Sequence, residues 1–157
     1  MDKSYYDQVQ AFYDRKAESY DRKYKDDTIC HIHTGLFNEN DLDYFRDKLS
    51  NLNPSEIQGL LWKGQREIFN LLQQRCISEG EHLDVGAGHG GNAISLATSI
   101  GAKVEAVTIS PVQIQIINSR IKAAKVDHLV NTKFSNILDF SSPKRYDVAF
   151  GVESFCQ

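Results

Sequence analysis

The rest of this chain has to accommodate one stretch, His82-Leu83-Asp84-Val85-Gly86-Ala87-Gly88-His89-Gly90-Gly91-Asn92. Glu81 to Val85 reads as a short buried strand, and glycines follow at 86, 88, 90 and 91. From Asn92 onward, Ala93, Ile94, Leu96 and Ala97 mark the opening turns of a helix. Glycine takes positive φ without a Cβ clash, so the turn between strand and helix can be tight. The bare backbone lets a ligand come close, and the free N–H groups of the helix start face it. Strand, glycine-rich turn and helix N-terminus are therefore expected to form a nucleotide-type site. The alternative is a turn that only lets the helix pack on the strand.

The flanking sequence predicts an α/β protein around this turn. Residues 5 to 25 form an amphipathic helix, with Val9, Phe12, Tyr13, Ala17, Tyr20 and Tyr24 on one face and Asp14, Arg15, Glu18, Asp21, Arg22 and Lys25 on the other. That helix either docks on the core through its aromatic stripe or acts as a lid whose tyrosines close over a ligand, and the two roles are compatible. His31-Ile32-His33 puts two histidines on one face if extended. No acid or cysteine cluster nearby completes a tetrahedral set, so no metal site is expected. Asn40 to Asn53 reads as a short surface helix. Pro54 opens a longer one that Gly64 weakens and Gly80 ends, with Leu60, Leu61, Ile68, Phe69, Leu72 and Cys76 on its apolar side.

Beyond the glycine turn, a second strand is expected over Lys103 to Ile109. Ser110-Pro111 then starts a helix, with serine as cap and proline at the first position. Its buried face is Ile114, Ile117, Ile121 and Ala124. A third strand covers Val130 to Phe134, and a fourth runs from Tyr146 to Val152. The fourth is nearly continuous apolar sequence, as suits a central parallel strand. The alternation predicts a doubly wound parallel sheet over residues 80–157, preceded by a helical cap or lid region over residues 1–79.

Charge and cysteine usage narrow the partners. The net charge of −3 is spread over 18 basic and 21 acidic residues with both signs interspersed, so no basic stripe points to nucleic acid. The longest apolar runs fall far short of the roughly 18 residues of a membrane span, and the polar N-terminus has no signal-peptide core. The cysteines Cys30, Cys76 and Cys156 are odd in number, far apart and without a C-x-x-C pair, which suits free thiols in a reducing cytoplasm.

The glycines fit two ligand patterns. Gly86, Gly88 and Gly91 satisfy G-x-G-x-x-G, the dinucleotide fingerprint, which needs an acid about twenty residues on to hold a ribose diol. That position falls near Thr108, where the strand end carries no acid; Glu105 lies inside the strand. Gly86, Gly88 and Gly90 also satisfy G-x-G-x-G preceded by Asp84. This pattern resembles motif I of the class I S-adenosylmethionine (SAM) dependent methyltransferases. The resemblance implies a Rossmann-like doubly wound parallel sheet with SAM as cofactor. It also implies that Asp84, Gly86, Gly88 and Gly90 cradle the methionine end and ribose.

Most class I members place an acid at the end of the second strand. Here Val107-Thr108-Ile109-Ser110-Pro111-Val112-Gln113 stands instead. It resembles the run found in cyclopropane-fatty-acid-synthase-like and terpene or small-molecule C-methyltransferases. By that resemblance Thr108 and Gln113 hold the ribose or methionine part through neutral hydrogen bonds. Asn136 would meet the adenine amino group with Ile137 packed on the ring, Gly151 would contact the methionine moiety, and Tyr20 and His33 would join the cofactor site. Glu153 would be the catalytic residue.

The family's sheet has more strands than this sequence supplies before Phe155-Cys156-Gln157, so the chain is expected to be the N-terminal portion of a larger enzyme, with the sheet incomplete at the C-terminus. The implied function is SAM-dependent methylation of a small molecule, carbon favoured over oxygen or nitrogen. The alternative is a non-catalytic SAM-binding fragment or assembly module. No nucleic acid or membrane partner is expected. Self-association through the exposed edge of strand four is.

Overall fold

A computed structural model describes residues 3–23, 35–48 and 51–154. The strands are β1 (Glu81–Val85), β2 (Lys103–Thr108), β3 (Val130–Phe134) and β4 (Val148–Phe150), and they form one parallel sheet in the order β3-β2-β1-β4. Helix α4 (Gly91–Ile100) links β1 to β2, and α5 (Pro111–Ala124) links β2 to β3. Register sets Asp84 opposite Ala106 on one side and Phe150 on the other. The expected first and third strands coincide with the observed ones, and β2 stops one residue early.

Strand alternation divides the sheet into two faces. On one, Leu83, Val85 and Val107 form a buried cluster against Ile137, Phe140 and Tyr146. His82, Asp84, Val104, Ala106 and Thr108 point the other way. Helices α4 and α5 pack on each other and on β2. Their apolar residues Ala93, Ile94, Leu96, Ala97, Ile117 and Ile121 are buried. The stretch read as strand four is shorter than expected and lies at the sheet edge. Asp147 still pairs with β1, its N–H donating to Glu81 O at 2.8 Å. Tyr146, however, turns its hydroxyl to Glu105 and Ser142, and Glu153 adopts φ 55°. The ends of the apolar run therefore leave the ladder.

Contacts divide the chain into two units, Met1–Ile32 with Cys76–Gln157, and His33–Arg75. Helix α1 (Lys3–Lys23) thus groups with the sheet. In the other unit, α2 (Glu39–Lys48) is shorter than the sequence suggested, and Asn38 Oδ1 caps it by accepting from the Asp41 N–H at 3.0 Å. Helix α3 (Pro54–Arg75) begins with a reciprocal cap: Asn53 Oδ1 accepts from Glu56 N at 3.0 Å, and Glu56 Oε2 accepts from Asn53 N at 2.8 Å. It ends at Arg75, before the expected Gly80, because the chain turns there and Ile77 N–H donates to His82 Nε2 at 3.1 Å. Gly64 serves packing: a Cβ there would stand 2.6 Å from the Phe37 ring.

Candidate functional site

A cavity of about 650 Å³ opens over the carboxyl ends of the strands, where open α/β sheets bind their ligands. Its floor is Val85, Gly86 and Gly88 after β1, with Val107, Thr108 and Ile109 at the end of β2. Ser135, Asn136 and Ile137 follow β3, Val152, Glu153 and Ser154 follow β4, and α1 supplies a wall of Tyr5, Tyr6, Val9, Phe12, Tyr13, Lys16 and Tyr20.

The glycine turn has three positive-φ residues, Gly86 at 70°, Gly88 at 56° and Gly90 at 79°. They do different things. A Cβ on Gly86 would fall 2.5 Å from Ser154 Cβ, and one on Gly90 would fall 2.9 Å from Ile117 Cγ2, so both are close approaches within the protein. A Cβ on Gly88 would meet nothing within 4 Å, although Gly88 lines the cavity. The backbone there is bare toward open space. The turn is held from below, with Ala87 N–H donating to Val107 O at 2.9 Å and Gly90 N–H to Ala87 O at 2.8 Å.

At the end of β2 the side chains bond to one another. Thr108 Oγ1 donates to Gln113 Oε1 at 2.5 Å and accepts from the Ser110 N–H at 3.2 Å. Ser110 caps α5, its Oγ accepting from Gln113 N at 3.1 Å, and its own proton goes to Asp14 Oδ1 of α1. Glu105, the acid inside β2, is turned away to the Tyr146 hydroxyl, so no acid of β2 reaches the cavity.

His89 ties the turn to α1. Its Nε2 lies 3.2 Å from Ala17 O, an oxygen that can only accept, so Nε2 carries the proton. Burial pushes its imidazole below the usual histidine range, which keeps the ring neutral. Tyr20 stands edge-on to it at 6.2 Å. Nothing local in the sequence pointed to His89 or to Ser154. Their partners, Ala17 and Gly86, lie far along the chain, and only the tertiary contact exposes the role.

Of the residues singled out from the sequence, the cavity brings together Gly86, Gly88, Thr108, Gln113, Asn136, Ile137, Glu153 and Tyr20. Asn136 Oδ1 already accepts from Leu138 N–H at 3.0 Å in a turn, which leaves one lone pair for a ligand. Gly90, Gly151 and Asp84 are not on its walls. Asp84 is 2% exposed, its Oδ2 has no partner among the described residues, and burial pushes its carboxyl up to about 7. Phe37 belongs to the His33–Arg75 unit, packed on Phe45 at 5.1 Å. His31, His33 and Tyr24 lie outside the described residues. Among the described residues no cluster of three or more His, Cys, Asp or Glu has a metal-holding arrangement, and no helix is long and apolar enough to cross a membrane.

No protein-family profile and no curated protein matches the chain. Solved structures do. A geranyl diphosphate methyltransferase in complex with GPP and sinefungin superposes with a TM-score of 0.68 at 23% identity, covering 87% of this chain and 50% of that one. Geranyl diphosphate C-methyltransferase from Streptomyces coelicolor A3(2), with Mg2+, geranyl diphosphate and S-adenosyl-L-homocysteine, gives 0.61 at 23%, over 83% and 49%. The 4+2 cyclase SpnF gives 0.64 at 20%, over 90% and 47%. The chain spans about half the length of these structures. The parallel order β3-β2-β1-β4, the glycine turn after β1 and these superpositions show that the chain has the Rossmann-like fold of the class I SAM-dependent methyltransferases.

Proposed function

We propose that this chain belongs to an enzyme that binds SAM and transfers its methyl group to a small molecule, with carbon as the favoured acceptor. The observation that carries the reading is Gly88, whose left-handed backbone faces open cavity with no protein atom against it. A cradle of this kind fits a ligand that needs close backbone approach. Ser154, which lines the cavity, has a buried Oγ without a partner among the described residues, and this fits a polar ligand as well.

SAM, when bound, supplies a methyl group already activated on a sulfonium. The protein's task is then positioning and exclusion of water. Gln113 offers its amide N–H2, since its Oε1 is taken by Thr108. Asn136 and Ile137 would flank the adenine, and Gly86 and Gly88 would hold the methionine end. The aromatic wall of α1 keeps water from the acceptor. For an alkene acceptor, the faces of Tyr13 and Tyr20 would attract the developing cation, and Glu153 would take the proton whose loss restores the double bond. The preference for carbon is supported by the Thr-Ile-Ser-Pro-x-Gln run and by the geranyl diphosphate C-methyltransferase among the similar structures.

A cytoplasmic setting and self-association along the outer edge of β4 complete the proposal. The second reading is a SAM-fold protein without methyl transfer, and the cyclase with the same fold favours keeping it.

Titration calorimetry with S-adenosylhomocysteine (SAH) and with NAD tests the cofactor, with binding expected for the first alone. Tight NAD binding without SAH binding would overturn the proposal. Glu153→Gln in the full-length enzyme should cut turnover and leave SAH affinity near wild type. Binding without turnover in the wild-type enzyme, across prenyl and other small alkene acceptors, would favour the second reading.

A further inference from the structure

We infer that Asp14 of α1 is a positioning residue for cofactor binding, acting through Ser110 on Gln113. The inference rests on the SAM reading above. Ser110 is fully buried, and its hydroxyl has a single proton. That proton goes to Asp14 Oδ1, which leaves the oxygen's lone pairs for the Gln113 N–H at 3.1 Å. The Ser110 N–H holds Thr108 Oγ1 at 3.2 Å, and Thr108 in turn holds Gln113 Oε1 at 2.5 Å. The chain of bonds closes on itself at Gln113. It fixes that side chain at both its backbone and its amide oxygen, and presents the amide N–H2 at the cavity.

Asp14 is the one residue of this network from outside the β2–α5 junction, 96 residues away from Ser110 in sequence. Its helix is anchored twice more, by Ala17 O to His89 at 3.2 Å and by Asp21 Oδ1 to Arg120 Nη2 at 3.2 Å. The three anchors reach different parts of the sheet unit: the β2–α5 junction, the glycine turn and the α5 body. Asp14 alone touches the group that orients Gln113. Docking of α1 and the conformation of Gln113 are therefore coupled, and coupling between two such sites is reciprocal. A ligand held by Gln113 tightens α1 at its Asp14 anchor, and loss of that anchor weakens the ligand, whereas loosening α1 at Asp21 leaves Gln113 in place.

The test is SAH titration of the full-length protein and its Asp14→Ala, Asp14→Asn, Asp21→Ala and Gln113→Leu variants, with hydrogen exchange of the α1 segment measured with and without SAH. Asp14→Ala should weaken SAH about 10-fold, within the usual range of such couplings. Asp14→Asn keeps an acceptor oxygen and should fall between it and wild type; it decides the matter if Asp14→Ala fails to fold. Asp21→Ala should speed exchange in α1 and leave SAH affinity within about two-fold. In the Gln113→Leu background the Asp14→Ala loss should vanish, a non-additivity that simple helix docking does not produce. Wild-type affinity in both Asp14 variants, or fully additive losses, overturns the inference alone. A wild-type protein that binds no SAH overturns the SAM reading and this inference with it.

Discussion

A carboxylic acid lies buried in the middle of the sheet at Asp84, between Ala106 and Phe150. Burial raises it from 3.8 to about 7, so the folded protein keeps a proton that the unfolded chain gives up near the ordinary value. Below that lower value both states are protonated and the stability is fully present. As pH rises toward about 7 the unfolded chain binds fewer protons, and stability falls. Asp84→Asn removes the titration. Thermal melts of the ligand-free protein between about pH 4 and pH 8 should show a flatter profile for the variant and a higher melting temperature at the alkaline end. A wild-type slope in the variant would assign the pH dependence to another group. Cys76, whose thiol is also pushed up, first by burial and then by Asp84, should be a poor nucleophile by the same physics.

At the scale of an element, the glycine turn separates fold from ligand. Gly90 and Gly88 both have positive φ, and a sequence reading treats them alike. Their surroundings differ: a Cβ at 90 meets Ile117 of α5 at 2.9 Å, and a Cβ at 88 meets nothing. Gly90→Ala should therefore lower stability by about 1–3 kcal/mol through overpacking. Gly88→Val should cost the fold only its backbone strain, of order 1–2 kcal/mol, yet abolish SAH binding by occupying the open cradle. Urea denaturation and calorimetry on the two variants check this. Equal loss of binding and of stability in both would mean the turn acts as one structural unit.

For the whole molecule, the sheet ends in two unlike edges. The β3 edge carries Asn131 and Lys133, polar groups that discourage pairing. The β4 edge is Val148-Ala149-Phe150, bonded among the described residues to β1 on one side only, with Ala149 exposed. Backbone donors and acceptors on its outer side are free to pair with a second chain. The 157-residue chain by itself should run as a dimer or larger species in size exclusion with light scattering, and Phe150→Lys should shift it toward monomer. A clean wild-type monomer at high concentration would contradict this.

Period and punctuation in the sequence determined the sheet. Leu83 and Val85 against Gly86, Ser110 with Pro111, and the apolar residues of α4 and α5 are local signals, because hydrophobic spacing and backbone permissiveness act over a few residues. Gly88 was legible in the bare turn and Tyr20 in the aromatic stripe of α1, while Thr108 and Gln113 were singled out through the family resemblance; all four line the cavity. Local signals failed where long-range contacts set the outcome. Tyr146 left β4 for Glu105, Phe37 packed on Gly64, and α3 stopped at Arg75 as His82 took the Ile77 N–H. The tertiary structure alone decided that His89 holds Ala17, that Ser154 closes over Gly86 and that Asp14 reaches Ser110. Each pair joins residues dozens of positions apart, and a side chain's hydrogen bond depends on which groups folding brings within about 3 Å, a condition no local pattern encodes.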